Sequence, residues 1–256
     1  MARDAKKTLR LHARVITAKP FHGIITTAAE RGSDLIVMST HGYTGVNHAL
    51  LGSTTERVVR HAPCPVLTVR VREAGPDAEA PPFKVERLLV PIDFSELSKT
   101  ALPWAVSFAR SFSAEVILFN VTETYPIDYL LGRELMNHAI TPLMMEAEDA
   151  LKRMANNLND KTGIKVSVFV RDGTPHKEIC QVADEKHADL IILTTHGYTG
   201  LKHVWLGSTA ERVVRNARCP VLAVRELKKS QGSESLLEQP SIHADIETQS
   251  LAQTSS

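Results

Sequence analysis

A repeat with a long period constrains the fold of this chain more than any other sequence feature. Residues 40–60 read THGYTGVNHALLGSTTERVVR, and residues 195–215 read THGYTGLKHVWLGSTAERVVR. Residue n of the first copy matches residue n + 155 of the second, as His41 and His196 show. Solenoid repeats have periods of about 20–50 residues, so this period indicates a duplicated globular domain rather than a stacked array.

Composition narrows the class of protein. The chain has 256 residues, 43% of them hydrophobic, which suits a globular protein with more than one domain-sized unit. Its formal charge of +1 predicts no nucleic-acid or membrane partner. The first residues, MARDAKK, lack the apolar core of a signal peptide, and no apolar run reaches about 20 residues. We therefore expect a cytoplasmic protein whose three cysteines are reduced.

The second copy alternates strand-like and helix-like patterns. Strands are predicted to begin near Val85, Glu115, Lys165, Asp189 and Pro220. Helices are predicted over residues 96–112, capped by Ser95, then over 136–160, from Pro175 to near His187, and over 209–216. This alternation implies the α/β class: an open five-stranded parallel sheet with helices on both faces.

The first copy corresponds to only part of this unit. Its match begins near Val15, where residues 13–17 align with the end of the third strand. The expected organisation is a half-domain at 1–73, a linker at 74–83, a complete domain at 84–226 and a disordered tail at 227–256. The alternative is that Met1 is not the natural start and that two complete domains exist.

The glycine-rich loop after the fourth strand is the strongest candidate site. Ligands of open parallel sheets bind beyond the carboxyl ends of the strands, where Gly197 and Gly207 lie. Ser208 and Glu211 form a capping-box pattern, and Ser208 and Thr209 place hydroxyls at a helix N-terminus that suits phosphate. The loop is neither a Walker loop nor GxGxxG. A tight turn with a serine that only caps its helix stays open as an alternative.

Several segments, taken in order, resemble the universal stress proteins. They are Val90-Pro-Ile-Asp-Phe-Ser at strand one, Asn120-Val121 at strand two, Gly173-Thr-Pro175 after strand three and Arg218-Cys-Pro-Val-Leu at strand five. Nucleotide-binding members carry G-x2-G-x9-G-[ST] after strand four, and Gly197, Gly207 and Ser208 match its later part. The resemblance spans residues 84–226, and residues 15–72 repeat its later half.

The resemblance implies a Rossmann-like domain that holds ATP, with or without Mg²⁺, along the carboxyl edge of the sheet. By this likeness Asp93 contacts the nucleoside and Val121 borders the adenine, while the phosphates contact Gly197, Gly207, Ser208 and Thr209. Thr194 replaces the first glycine of the motif, and its hydroxyl remains available to ribose or phosphate. The first copy carries an incomplete second site without a strand-one aspartate: Ser39, Gly42, Gly52, Ser53 and Thr54.

Three functions follow as hypotheses. The first is a stress-response protein that binds ATP and acts as a nucleotide-sensitive interaction module, with at most slow hydrolysis. The second is a nucleotide-independent dimerising scaffold of the same fold. The third is an adenylating enzyme, which is disfavoured because its SGGxDS and HxGH signatures do not occur. No catalytic residue and no metal site are predicted, since duplication explains the paired histidines and no partner group is placed beside Asp93.

Assembly is also implied by the resemblance. Relatives pair through their fifth strands, so Val66–Val69 and Val221–Val224 are predicted to form equivalent edges. The half-domain would otherwise expose an unfinished apolar face and sheet edge. We expect it to dock on the complete domain of the same chain or on a second chain in a homodimer.

Overall fold

The computed structural model of this chain describes residues 11–39, 52–70, 84–123, 133–195 and 207–225. The predicted linker at 74–83 and the predicted tail at 227–256 lie outside these ranges, as do Gly42 and Gly197. The fold and the site below are built from the described residues.

One sheet of seven strands organises the molecule. The strands are β1 (Ile36–Ser39), β2 (Val66–Val69), β3 (Arg87–Pro91), β4 (Glu115–Glu123), β5 (Val166–Gly173), β6 (Leu190–Thr194) and β7 (Val221–Val224). Their order is β1-β2-β7-β6-β3-β4-β5. All neighbours are parallel except β2 and β7. The five strands from the second copy thus form the predicted parallel sheet, and the first copy extends it.

Helices cover both faces of this sheet. They are α1 (Pro20–Arg31), α2 (Ser53–His61), α3 (Glu96–Lys99), α4 (Leu102–Phe112), α5 (Arg133–Thr162), α6 (Pro175–Glu185) and α7 (Ser208–Asn216). Alternate residues of a strand face opposite sides, so Leu89 and Phe119 pack with the helices α6 and α7. Leu88 and Leu118 pack with α4 and α5 on the other side. These buried runs agree with the mixed α/β fold predicted from the sequence.

An antiparallel seam between β2 and β7 joins the two copies. Val66 lies opposite Ala223, and Leu67 lies opposite Leu222. The Thr68 hydroxyl donates a hydrogen bond to the Val221 carbonyl at 3.2 Å. The predicted pairing of the fifth strands is confirmed in its intrachain form. Because β7 has β6 as its other neighbour, this edge is filled by the chain itself.

Four arginines reinforce the seam from outside the sheet. The Arg70 guanidinium donates to the Arg215 carbonyl at 2.6 Å, and that of Arg225 donates to the Ala62 carbonyl at 3.1 Å. Each copy thereby caps the carboxyl end of the other copy's helix, where carbonyls lack partners within the helix. Arg60 also pairs with Glu211 at 3.6 Å, linking α2 to α7. The reciprocal pair between Arg215 and Glu56, at 3.9 Å, joins the same two helices.

The predicted continuous helix over residues 96–112 is wrong. Ser95 caps α3 as expected, its hydroxyl accepting from the Ser98 amide at 3.1 Å. The helix ends at Lys99 and α4 begins at Leu102, with Pro103 in its first turn. Proline lacks an N–H and its ring clashes with the carbonyl four residues earlier. The break follows from that clash, since proline is tolerated only in the first turn of a new helix.

Residues 13–17 align with the end of the third strand and the turn after it, but the first copy does not keep this strand end, since residues 11–17 form no regular structure. Val15 is 98% exposed. In the second copy the equivalent strand, β5, is an edge strand that pairs with β4. Among the described residues the first copy has no counterpart of β4, so this segment has no ladder to join.

Gly173, which ends β5, provides a first test of the fold. Its φ of 140° lies where side chains are strained, and an added Cβ would lie 2.9 Å from Cγ of Glu178. Glu178 is held by an ion pair with Arg171 at 3.4 Å. We expect Gly173→Ala to lower the free energy of unfolding by about 1–3 kcal/mol, measured by denaturant titration.

Gly163→Ala is the matched control for this substitution. Gly163 also has a positive φ, 69°, but an added Cβ would meet no atom within 4 Å. We expect a loss of about 1 kcal/mol or less there, because only the backbone conformation is disfavoured. Equal losses in the two variants would contradict the steric part of the argument.

Candidate functional site

A cleft of about 330 Å³ opens at the carboxyl edge of the sheet. It lies where β3, β4 and β6 end and where α6 and α7 begin. Six of the residues predicted from the sequence line it, namely Asp93, Val121, Thr194, Gly207, Ser208 and Thr209. Residues separated by more than 100 positions in the sequence thus meet around one cavity, as expected at the strand ends of an open α/β sheet.

Asp93 is held in a defined orientation by the turn that follows β3. Its Oδ1 accepts hydrogen bonds from the Ser95 amide at 3.0 Å and from the Ser95 hydroxyl at 2.5 Å. Between them, Phe94 adopts a φ of 63°, a conformation that non-glycine residues rarely take. Such local constraint is typical of functional sites. The carboxylate is therefore positioned before any ligand arrives.

Asn120 lines the cleft as a buried residue that sequence reasoning did not assign to the site. Its side-chain amide donates to the Ile92 carbonyl at 2.8 Å, and the Ile92 amide donates to the Phe119 carbonyl at 2.7 Å. These bonds tie the end of β3, which carries Asp93, to β4. A polar residue directly after the apolar run at residues 116–119 of β4 was the sequence signal for this role, because buried polar groups need partners.

The predicted capping box at the start of α7 is wrong. Gly207 is the N-cap residue, Ser208 is the first helical residue, and no side chain caps the helix. Glu211 instead pairs with Arg215 at 2.9 Å, as well as with Arg60. The Gly207 amide donates to the Thr195 carbonyl at 2.6 Å, which joins the two ends of the loop.

The start of α7 therefore offers hydrogen-bond donors to the cleft. The first amides of an α-helix have no partner within the helix, and those of Ser208 and Thr209 border the cavity. The helix is nine residues long, and its dipole places positive partial charge at this end. Because Gly207 is the N-cap, Ser208 does not serve as the cap of this helix.

The start of α2 in the first copy resembles the start of α7. Gly52 is the N-cap of α2, with φ and ψ of −57° and 134°, close to the −66° and 143° of Gly207. The Thr55 hydroxyl donates to the Ser39 carbonyl at 3.0 Å, so the end of β1 meets the start of α2, which carries Ser53 and Thr54. β1 has β2 on one side, and among the described residues no strand lies on its other side to supply an equivalent of Asp93.

The ionisable groups near the cleft favour binding over nucleophilic chemistry. Asp93 and Glu123 are the ionisable residues among its described lining. Cys180 follows Ile179, which lines the cleft, and burial raises the pKa of its thiol to about 11, so the thiol stays protonated near pH 7. His176 follows Pro175 at the cleft, and burial, with Arg212 nearby, lowers its pKa, which keeps it neutral.

The described part of the chain also bears on metal binding and on membrane association. It contains no group of three or more His, Cys, Asp and Glu side chains arranged to hold a metal ion. The histidines at 41, 48, 196 and 203 lie outside the described ranges. None of the described helices combines the length and the apolar character needed to cross a membrane.

Comparison with known proteins places this geometry in a family. The model of the universal stress protein family matches residues 1–70 and 84–225. Universal stress protein MJ0531 from Methanocaldococcus jannaschii is 36% identical over 144 residues, which cover 56% of this chain and 84% of that protein.

Two solved structures are similar in fold. A universal stress protein from Archaeoglobus fulgidus aligns with a TM-score of 0.57 at 25% identity, covering 80% of this chain and 66% of its own. The structure of MJ0577, a universal stress protein from Methanocaldococcus jannaschii, aligns with a TM-score of 0.51 at 34% identity, covering 55% of this chain and 96% of its own.

Proposed function

This chain belongs to the universal stress protein family, and from that membership we propose that it binds ATP in the cleft at the carboxyl edge of its sheet. In this proposal it is a cytoplasmic stress-response protein that acts as a nucleotide-sensitive interaction module, with at most slow hydrolysis. The observation that carries the proposal is the uncapped N-terminus of α7, which faces the cleft together with Asp93.

The described residues that line the cleft suit the phosphates, the ribose and the base of ATP in turn. The amides and hydroxyls of Ser208 and Thr209 suit the phosphates, because a helix N-terminus favours anions. The preoriented Asp93 carboxylate suits the hydroxyls of the nucleoside. Val121 offers apolar surface to the base, and the Thr194 hydroxyl stands between these regions as a further donor or acceptor.

The described residues also bear on the metal ion and on the site of the first copy. Any Mg²⁺ would enter bound to the phosphates rather than at a protein cluster, since the described residues hold no group of metal ligands. The first copy lacks a described counterpart of Asp93. We therefore propose that Ser39, Gly52, Ser53 and Thr54 do not bind nucleotide independently.

The helix α7 contacts both the cleft and the first copy, which supports a docking of the two copies that responds to nucleotide. Its first turn borders the cleft, while Glu211 and Arg215, further along the helix, form ion pairs with α2 of the first copy. A ligand that stabilises the start of α7 therefore acts on the same rigid element that holds the half-copy. Binding free energy in the cleft can change the stability of this docking.

The direct test is the nucleotide content of the full chain purified without added ligand. The protein is denatured, and the supernatant is analysed by anion-exchange chromatography. We expect about one ATP or ADP per chain. For protein freed of nucleotide, added ATP at about 100 times its Kd should raise the melting temperature by roughly 5 °C or more.

An empty protein whose melting temperature does not respond to ATP would contradict the proposal. The nucleotide-independent scaffold would then be the working description. Release of pyrophosphate in the presence of a candidate acceptor would instead indicate adenylating activity.

A further inference from the structure

Glu123 lies at the end of the cleft away from α7, and the proposed function gives it no role. It ends β4 and lines the cleft together with Val121. Because side chains alternate along a strand, Glu123 and Val121 share the face on which Phe119 packs with α6 and α7. In the sheet order β3 separates β4 from β6, the strand that leads towards α7. Glu123 and the start of α7 therefore stand on opposite sides of the cleft.

The two ends of the cleft differ in charge. At α7, amide N–H groups and positive partial charge favour an anionic group. At Glu123, an exposed carboxylate that only accepts hydrogen bonds favours a donor. Between them, Ile92 and Ile179 line the cleft with apolar surface. This order matches a ligand with an anionic group at one end and an amine-bearing planar ring at the other.

The neighbouring strand β5 places a glycine beside Glu123. Glu123 pairs in register with Gly173 on β5. Glycine contributes no side chain there, and the Glu178 side chain takes the place of one, since a Cβ on Gly173 would lie 2.9 Å from Cγ of Glu178. The same glycine starts the turn into α6, whose Pro175 lines the cavity.

We propose that the Glu123 carboxylate accepts a hydrogen bond from the exocyclic amine of adenine and so makes the cleft selective for an amine-bearing purine. This inference rests on the proposed binding of ATP and adds a determinant of base specificity to it. The N6 amine of adenine is a hydrogen-bond donor, and a bond to an ionised acceptor is stronger than one between neutral groups.

The experiment compares two nucleotides that differ in this amine alone. Calorimetric titration of the full chain with ATP and with purine riboside triphosphate gives the ratio of their affinities. We expect ATP to bind about tenfold more tightly to the wild type. In Glu123→Ala the ratio should fall to about one, because the affinity for ATP drops while that for purine riboside triphosphate changes less than about twofold.

Glu86→Ala is the charge-matched control, since Glu86 is exposed and precedes β3 at the opposite edge of the sheet. Removing a negative charge can raise the affinity for any anionic ligand. Because both nucleotides carry the same triphosphate, such a gain in affinity cancels in the ratio. Glu86→Ala should keep the tenfold ratio. The same change of ratio in both variants would overturn the inference.

The remaining outcomes separate this inference from the proposed function. Binding of both nucleotides with equal affinity to the wild type overturns the inference alone. An unchanged ratio in Glu123→Ala also overturns the inference alone. If this variant loses affinity equally for ATP and for purine riboside triphosphate but keeps its affinity for 2′-deoxyATP, the carboxylate lies at the ribose and the inference is overturned. Binding of neither nucleotide to the wild type overturns the proposed function and this inference with it.

Discussion

Replacement of Gly207 by tryptophan is expected to weaken ATP binding by at least about 100-fold, which corresponds to about 2.7 kcal/mol. Gly207 lines the cleft at the start of α7, so an indole at this position competes with the ligand for a cavity of about 330 Å³. Its φ of −66° and ψ of 143° are open to any residue, so backbone strain should not confuse the result. Calorimetric titration with ATP measures the loss.

Gly52→Trp is the matched variant, because Gly52 occupies the equivalent N-cap position before α2 with nearly the same backbone angles. We expect its affinity for ATP to stay within about twofold of the wild type, since the half-copy is not proposed to bind nucleotide independently. Loss of binding in both variants would show that the two copies share one site. Unchanged binding in Gly207→Trp would remove the cleft from the proposed function.

Substitution of Val66 by aspartate is expected to have the largest effect on stability, a loss of about 4 kcal/mol or more. Val66 is 1% exposed and lies between β1 and β7 at the seam. The change removes about 1.5–3 kcal/mol of apolar burial and leaves a carboxylate unpaired in the core, which costs several kcal/mol more. Whole domains are stable by only about 5–15 kcal/mol, so the two copies should come apart.

Denaturant unfolding and limited proteolysis of the full chain measure this effect, with Val37→Asp as the matched control. Val37 lies on the adjacent strand β1 but is 59% exposed. There the same substitution should lower the free energy of unfolding by less than about 1 kcal/mol. Similar stability of the two variants would contradict a stabilising role for the β2–β7 seam.

Local patterns in the sequence were sufficient to predict most of the second copy. Uninterrupted apolar runs predicted β3, β4, β6 and β7, because strands buried on both faces carry such runs. The loop residues Gly207, Ser208 and Thr209 could be identified because they repeat in the first copy and match a family motif. Asp93 and Val121 came from the family resemblance, and the structure places both at the same cleft.

The predictions from sequence were wrong where a local pattern was overridden by another interaction or by the geometry of a single residue. Ser208 has a good capping side chain, yet the Gly207 amide bonds to the Thr195 carbonyl and the helix starts at Ser208, one residue earlier than the pattern implies. The helical periodicity over residues 96–112 correctly predicted helix, but the prediction overlooked the break that Pro103 causes. Glu123 carried no motif, and only its place on β4 brings it to the cleft.

The sequence by itself determined that the chain holds two related copies, which residues are equivalent, and that the second copy forms an α/β sheet with a candidate site after its fourth strand. The family resemblance predicted that the fifth strands pair, and only the tertiary structure decided that they do so within one chain. Arg70 and Arg225 donate hydrogen bonds to carbonyls 145 and 163 positions away in the sequence. The strand β2 pairs antiparallel with β7 of the same chain. Backbone carbonyls and sheet edges are present at every position of a chain. Their pairing is therefore set by which elements pack together in space, and no local pattern records it.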